Sequence, residues 1–291
     1  LASEFVEFLR PQTLVGRLPL RRVPFNIRFA SQTTGAVAGW VGEGRGKPVT
    51  SFQIGTGSLA YTKIAAIAVI TQELARFSSP SAEALVRDEL ARAVVERLDI
   101  DFIDPAQAAV ANVNPASITN GLTALTSAGT SADNIRTDLQ NLLEQFLLNN
   151  MNTTSVVLIM PNTLALAASL LVNSLGQPEF PGLGVNGGTI MGIPVFTTQY
   201  AANQSGAGNL VIALDPQAVL LADDGQVDVS VSTEASIEMS DAPTNRSDTP
   251  RAASLDSLCQ TNSIGIKAER LVNSTKARST AVVYMDDVNW G

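Results

Sequence analysis

Residues 25–54 read FNIRFASQTTGAVAGWVGEGRGKPVTSFQI. Phe25, Ile27 and Phe29 alternate with Asn26 and Arg28, and Phe52 and Ile54 alternate with Ser51 and Gln53. Both runs have the period of two that marks strands. Between them Gly35, Gly39, Gly42, Gly44 and Gly46 make a glycine-rich tip. The pattern predicts a long two-stranded ribbon with nothing of its own to pack against. An isolated hairpin is at best marginally stable in water. The ribbon therefore needs another surface to lie on, and it points to assembly before any chemistry is considered.

Working outward, residues 1–24 read as an arm: a short apolar turn (Phe5, Val6, Phe8, Leu9), then Pro11, then the basic pair Arg21 and Arg22. After the ribbon, Ile64 to Ile70 is an apolar strand. Ser79-Pro80 opens a helix, with serine as cap and proline in the first turn. Val86, Leu90, Val94 and Leu98, widened by Leu85 and Val95, form its apolar stripe over roughly five turns. Glu83/Arg87 and Asp88/Arg92 are expected i,i+4 pairs on its wet face. A composition shift near Asp104 to Asn114 suggests a boundary. A second helix is expected from Ser131, burying Ile135, Leu139, Leu142, Leu143 and Phe146. Val156 to Met160 reads as a buried strand, and Pro161-Asn162-Thr163 as the start of a third helix ending near Leu175. The glycine-rich stretch 176–188 is expected to be a mobile loop. Strands follow at Thr189–Thr197, Leu210–Leu214 and Val219–Ala222, with a tight turn at Asp223-Asp224-Gly225. Val227, Val229 and Val231 alternate after it. Residues 240–252 are polar and turn-rich, and Ser263–Leu271 and Ala281–Met285 close the chain as strands.

Composition narrows the function. The chain has 291 residues, 45% of them hydrophobic, enough for a sizeable core. Its net charge is −8, without the basic stripe of a free-standing nucleic-acid binder. Histidine is absent and Cys259 is the single cysteine. These counts remove the commonest general base, the commonest metal ligand and any intramolecular disulfide. No apolar run approaches the ~18 residues of a membrane span. The start, LASEF, lacks the basic and apolar regions of a signal peptide. No cofactor is expected.

The order of elements resembles the major capsid protein of tailed bacteriophages with the HK97-type fold. Gly46–Pro48 in the ribbon tip, Met191–Val195 (MGIPV), Leu220–Gly225 (LLADDG) and Gln260–Arg270 (QTNSIGIKAER) carry the likeness locally. The resemblance implies an α+β fold in four parts: an N-terminal arm (1–24), an extended loop (25–55), a peripheral domain with a long spine helix (56–112 and 253–291), and an axial α/β domain (113–252). It implies pentamers and hexamers in an icosahedral phage head that encloses double-stranded DNA without sequence-specific binding. Portal, scaffold or protease, and decoration proteins are the implied partners. The virion is the implied location, after assembly in the host cytoplasm. The family often loses an N-terminal scaffolding segment, and the Met-less start is similar to such a processed form. An encapsulin-like nanocompartment shell shares the fold and is the alternative. An enzyme is not expected.

Two residues are candidate inter-subunit contacts. Trp40, a lone tryptophan on a polar ribbon, has the character of an interface anchor. Lys47 stands where the cross-linking member of the family carries a lysine that is joined to an asparagine on another subunit. Asn262 and Glu269 lie in the corresponding late strand, with Ala268 where the assisting carboxylate is expected. Asp99, Asp101 and Asp104 form a possible cation cluster, although solvated carboxylates are the commoner explanation. Gly182, Gly184 and Gly187 spell GxGxxG, but the motif follows a helix and leads into a strand, the wrong context for dinucleotide binding.

Overall fold

The computed structural model describes residues 13–32, 40–47, 49, 54–77, 81–149, 151, 153–173, 175–202, 208–240 and 254–291. The apolar turn of the arm, the returning Phe52, the Ser79-Pro80 cap and most of the turn-rich stretch 240–252 lie outside them.

In chain order the elements are α1 (Leu14–Arg17), β1 (Arg21–Arg22), β2 (Arg28–Gln32), β3 (Ile54–Ser58), β4 (Lys63–Thr71), α2 (Gln72–Phe77) and the spine helix α3 (Ser81–Ile103). Next come β5 (Leu125–Thr126), α4 (Ala132–Leu148), β6 (Val157–Met160), α5 (Asn162–Leu170), β7 (Leu183–Gly184), β8 (Gly187–Ile190), β9 (Ile193–Thr197) and β10 (Val211–Leu214). The chain closes with β11 (Val219–Ser232), β12 (Ser236–Ile237), β13 (Asp256–Ser257), β14 (Ser263–Lys276) and β15 (Val282–Asp286).

Two large sheets share one core. The first has four strands in the order β1-β11-β14-β4, and the second has seven, β5-β15-β10-β6-β9-β8-β7. Val219, Leu221 and Val272 of the first join Val211–Leu214 of the second in a continuous buried cluster. The sheets do not divide the chain at residues 112/113 and 252/253. β11 pairs along its length with β14 in the first sheet, while β15 pairs with β10 and β5 in the second.

The helices follow their apolar spacing. In α3, Leu90, Val94, Val95 and Leu98 are buried and the stripe continues to Phe102 and Ile103. The helix has 23 residues, longer than the five turns expected and about 35 Å long at 1.5 Å per residue. Arg92 pairs with Glu89 at 2.7 Å, the i,i+3 partner being as close on a helix as the i,i+4 one, while the side chains of Glu83, Arg87 and Asp88 lie outside the described ones. Ser131 caps α4 by accepting from the Asn134 amide, and Ile135, Leu139, Leu142 and Phe146 are all buried beneath it.

Three expectations are corrected. Helix α5 ends at Leu170, not near Leu175: the Asn173 carboxamide accepts from the amides of Leu175 and Gln177, a local turn that competes with helix. The glycine-rich stretch is an ordered hairpin, β7 against β8, at the edge of the second sheet. Its glycines permit close backbone approach: a Cβ on Gly188 (φ +140°) falls 2.1 Å from the Gly182 carbonyl oxygen. Asp223-Asp224-Gly225 is not a hairpin turn. The strand continues through it, because the residues on both sides pair with β14. The surplus residues are absorbed as an irregularity between Asp223 and Val227.

Candidate assembly surface

The ribbon has an anchored root and an unsupported shaft. β2 and β3 pair antiparallel from Arg28↔Ser58 to Gln32↔Ile54, and the pair forms a two-stranded sheet by itself. At the root the Asn26 amide donates to the Leu59 carbonyl at 2.7 Å. Leu59 is buried with Leu220 and Ala222, and Val23 and Phe25 pack against them. The described strands run from Arg28 to Gln32 and from Ile54 to Ser58; Ser51, Phe52 and Gln53 of the returning alternation lie outside the described residues.

Both candidate contacts sit on the tip. Trp40 is fully exposed, at 107% of its reference area, so it buries nothing against its own ribbon. Lys47 is exposed as well. Between them the Arg45 amide donates to the Gly42 carbonyl at 3.2 Å, with Gly44 at φ +74°.

Charge separates this surface from the rest of the chain, which bulk composition conceals. Residues 25–58 contain Arg28, Arg45 and Lys47 against Glu43 alone, a net of +2 within a chain of −8. The remainder therefore carries −10. One concentration of exposed acid lies where β11 leaves its neighbour. β1 covers only Leu220 and Leu221, so among the described residues Val227–Ser232 has an open outer edge. Asp224, Asp228, Glu234 and Asp256 are exposed along that end, beside exposed Val229, Val231, Met239 and Leu255.

The residues weighed for cross-linking do not form a base. Ala268 is buried in β14, and Glu269 on the opposite face is held by Lys63 at 3.6 Å and Lys267 at 3.3 Å. Asn262 occupies a left-handed position (φ 50°) just before the strand.

The three aspartates diverge instead of forming a cation site. Asp99 is buried, 1% exposed, and both its oxygens accept from the Leu14 amide, at 2.9 and 3.0 Å. Burial raises its pKa to about 7, against the opposing pull of that amide and of Arg17. Asp101 pairs with Arg97 at 2.9 Å, and Asp104 accepts from the Ala106 amide at 3.0 Å. No cluster of three or more potential ligands occurs among the described residues.

Two buried ties were missed in the sequence. Arg270 reaches both oxygens of Asp223, at 3.2 and 2.8 Å, and both side chains are only 4% exposed. This joins the LLADDG and QTNSIGIKAER motifs across adjacent strands. Asp138, fully buried on α4, accepts from Ser127 Oγ (2.7 Å), the Ala128 amide (2.7 Å) and Trp290 Nε1 (2.9 Å), fastening the chain end to the second sheet. Acidic residues in mixed-polarity runs give no sequence signal of burial, so neither tie was legible.

With this architecture established, the comparisons with known proteins agree. The family model described as "Phage capsid family" matches residues 20–287. The chain belongs to the phage capsid family. It is 48% identical over 297 residues to the "Capsid polyprotein" of Pseudomonas phage PAJU2, covering 99% of this chain and 44% of that protein. The chain thus spans less than half the length of this relative. Solved structures show the HK97-type fold at low identity. The chain from Gordonia phage Cozz superposes with a TM-score of 0.67 at 15% identity, over 98% of this chain and 86% of that one. That from Mycobacterium phage Ogopogo gives 0.69 at 16%, over 95% and 92%. The capsid of a native GTA particle gives 0.64 at 14%, over 96% and 90%.

Proposed function

We propose that this chain is a major capsid subunit that assembles into pentamers and hexamers of an icosahedral phage head around double-stranded DNA. The observation that carries the reading is the ribbon: anchored at its root, joined to neither large sheet along its described shaft, and presenting an uncovered tryptophan, in a chain of the capsid family. Its basic charge is complementary to an acidic body. The ribbon of one copy lies on the body of the next, where the open acidic end of β11 offers carboxylates, apolar side chains and unpaired strand edge. Surface attraction of this kind orients and accelerates association and weakens with salt. The first sheet with α3 serves as the peripheral domain and the second as the axial domain, with β11 counted in the former and β15 in the latter. The work is structural and not enzymatic. Portal, scaffold or protease, and decoration proteins are partners of such a shell, and the virion is its location. The phage relatives do not favour an encapsulin-like compartment.

Negative-stain microscopy with sedimentation velocity tests the proposal. Closed shells or five- and six-fold rings are expected. A monomer that persists across salt and pH would overturn it. Trp40→Ala is expected to raise the concentration needed for assembly by about 30-fold, the equivalent of a ~2 kcal/mol hot spot. The melting temperature of the unassembled chain should not move, because Trp40 buries nothing at home. Lys47 contributes charge and no covalent bond, since the late strand supplies no free carboxylate beside Asn262. Assembled protein boiled in detergent should run as a single 30.6 kDa band. A ladder of multiples would show the cross-link.

A further inference from the structure

Helix α5 has the composition of a buried helix and stands at the surface. Its sequence, NTLALAASL, has no charged residue. Leu164, Ala165 and Ala168 are buried beneath it. A surface helix normally turns polar on its outer side, and a helix that is apolar all round is normally covered all round. α4 follows the rule, with Asp133, Arg136 and Glu144 exposed on its wet face. α5 breaks it. Leu166 and Leu170, four residues apart on one side, are 43% and 70% exposed. Val172 and Leu175 continue the apolar stretch beyond its end, at 61% and 81%.

A second apolar patch stands across the same sheet. Leu147 and Leu148, in the last turn of α4, are 61% and 67% exposed. α5 packs on β7, the edge strand of the second sheet, and α4 packs on β15, five positions away. At ~4.8 Å per strand the two helices are roughly 24 Å apart. The patches share one property: residues 145–178 hold no Asp, Glu, Lys or Arg, in a chain that is 16% charged. Scattered surface leucines are ordinary, but a run of them without charge has the character of an interface core.

We propose that the outer face of α5 is covered, in the assembled shell, by the end of α4 of a second copy, a contact that rests on the chain being a ring-forming shell subunit. Another copy of the chain fits both patches. They match in chemistry, since neither presents a charge that the other would have to bury unpaired. They also lie on different parts of one body. A contact between unlike patches is head-to-tail, and such contacts close into rings when the rotation permits. Every copy in the ring then covers both of its patches without a third protein. The stripe is small beside the 20–30 or so residues a side of a stable interface. One such contact does not hold an isolated dimer together, and it becomes effective when every copy of a ring repeats it.

Charge substitutions read by sedimentation velocity test the contact, with thermal melting of the unassembled chain on the same preparations. Leu170→Lys and Leu148→Lys should each raise the concentration needed for assembly by about tenfold or more, as expected for a spoiled hot spot. Neither should move the melt, because both side chains are already exposed. The double variant Leu170→Lys/Leu148→Glu should recover most of the lost assembly, since every contact then joins opposite charges. Leu170→Lys/Leu148→Lys should not recover it. If Leu170→Lys lowers the melt, Leu175→Lys, at the most exposed position of the stripe, takes its place. Single variants that assemble like the parent would overturn the contact and leave the shell reading standing. Loss in the single variants without recovery by opposite charges would overturn the pairing of α5 with α4. A parent chain that never assembles would remove the shell reading and the contact with it.

Discussion

Arg270→Ala should destabilise the folded chain by about 3–5 kcal/mol, the usual cost of removing one partner from a buried ion pair. Asp223 faces Arg270 across β11 and β14 with both side chains 4% exposed, so its carboxylate would lose its guanidinium partner almost out of reach of water. The loss should appear as a lower urea midpoint with an unchanged slope. The pair itself is not optimal, because Nη1 of Arg270 is buried without a hydrogen-bond partner. Unmet donors of this kind cost about 1–3 kcal/mol each. Replacing both residues by leucine should therefore recover most of the loss that the single change causes, and a double-mutant cycle with Asp223→Leu measures the coupling. If Arg270→Ala costs under ~1 kcal/mol, Asp223 is reaching water, and the irregularity between Asp223 and Val227 is looser than the register shows. The location matters for function as well as stability. The pair pins β11 where its outer edge becomes free of β1, and so it sets the position of the acidic edge proposed to receive a neighbouring ribbon.

What was legible in the sequence was whatever repeats with the period of its element. The 3.6-residue spacing of Ile135, Leu139, Leu142 and Phe146, with Ser131 as cap, gave α4 almost residue for residue. The alternation of Val227, Val229 and Val231 gave a strand. The composition of residues 25–54 gave a ribbon, and the described strands form an isolated pair. Non-local competition was not legible. Asp223-Asp224-Gly225 has turn chemistry, and its continuation as strand is decided by β14, forty residues later in the chain. The glycines at 182–188 suggest a mobile loop, but their strand order comes from backbone packing against β9, which composition does not encode. Asp99 reads as a solvated carboxylate or a possible cation ligand, and nothing in the sequence singles out Asp138. Their burial depends on Leu14 and Trp290, some 85 and 152 positions away. The exposure of Trp40 and Lys47 could be read from the sequence because a solvated tip needs no partner within the chain. The open edge of β11 could not, because it is left by the short reach of β1, which only the pairing of distant strands decides.

Excising residues 28–58 is expected to abolish shell formation while leaving the body folded. The geometry makes the experiment clean. The Asn26 amide already bonds the Leu59 carbonyl at 2.7 Å, so the two ends of the cut lie side by side and a short glycine link joins Ile27 to Leu59. Among the described residues the removed strands pair with each other and with no third strand, and the buried cluster of Leu59, Leu220 and Ala222 stays intact. Stability of the excised chain should therefore stay within about 1 kcal/mol of the parent, since shortening a loop changes closure entropy only slowly. Assembly should fail at every concentration at which the parent forms shells, because each of the many equivalent contacts in a closed shell loses the same ribbon. Thermal melting and sedimentation velocity on one preparation read both quantities. An excised chain that still closes into shells would show that the ribbon decorates the subunit and that the interfaces lie elsewhere, on the sheets and the spine helix. A chain that loses its cooperative melt would show that the ribbon is held by its own body. In that case the exposure of Trp40 would no longer point to a neighbour.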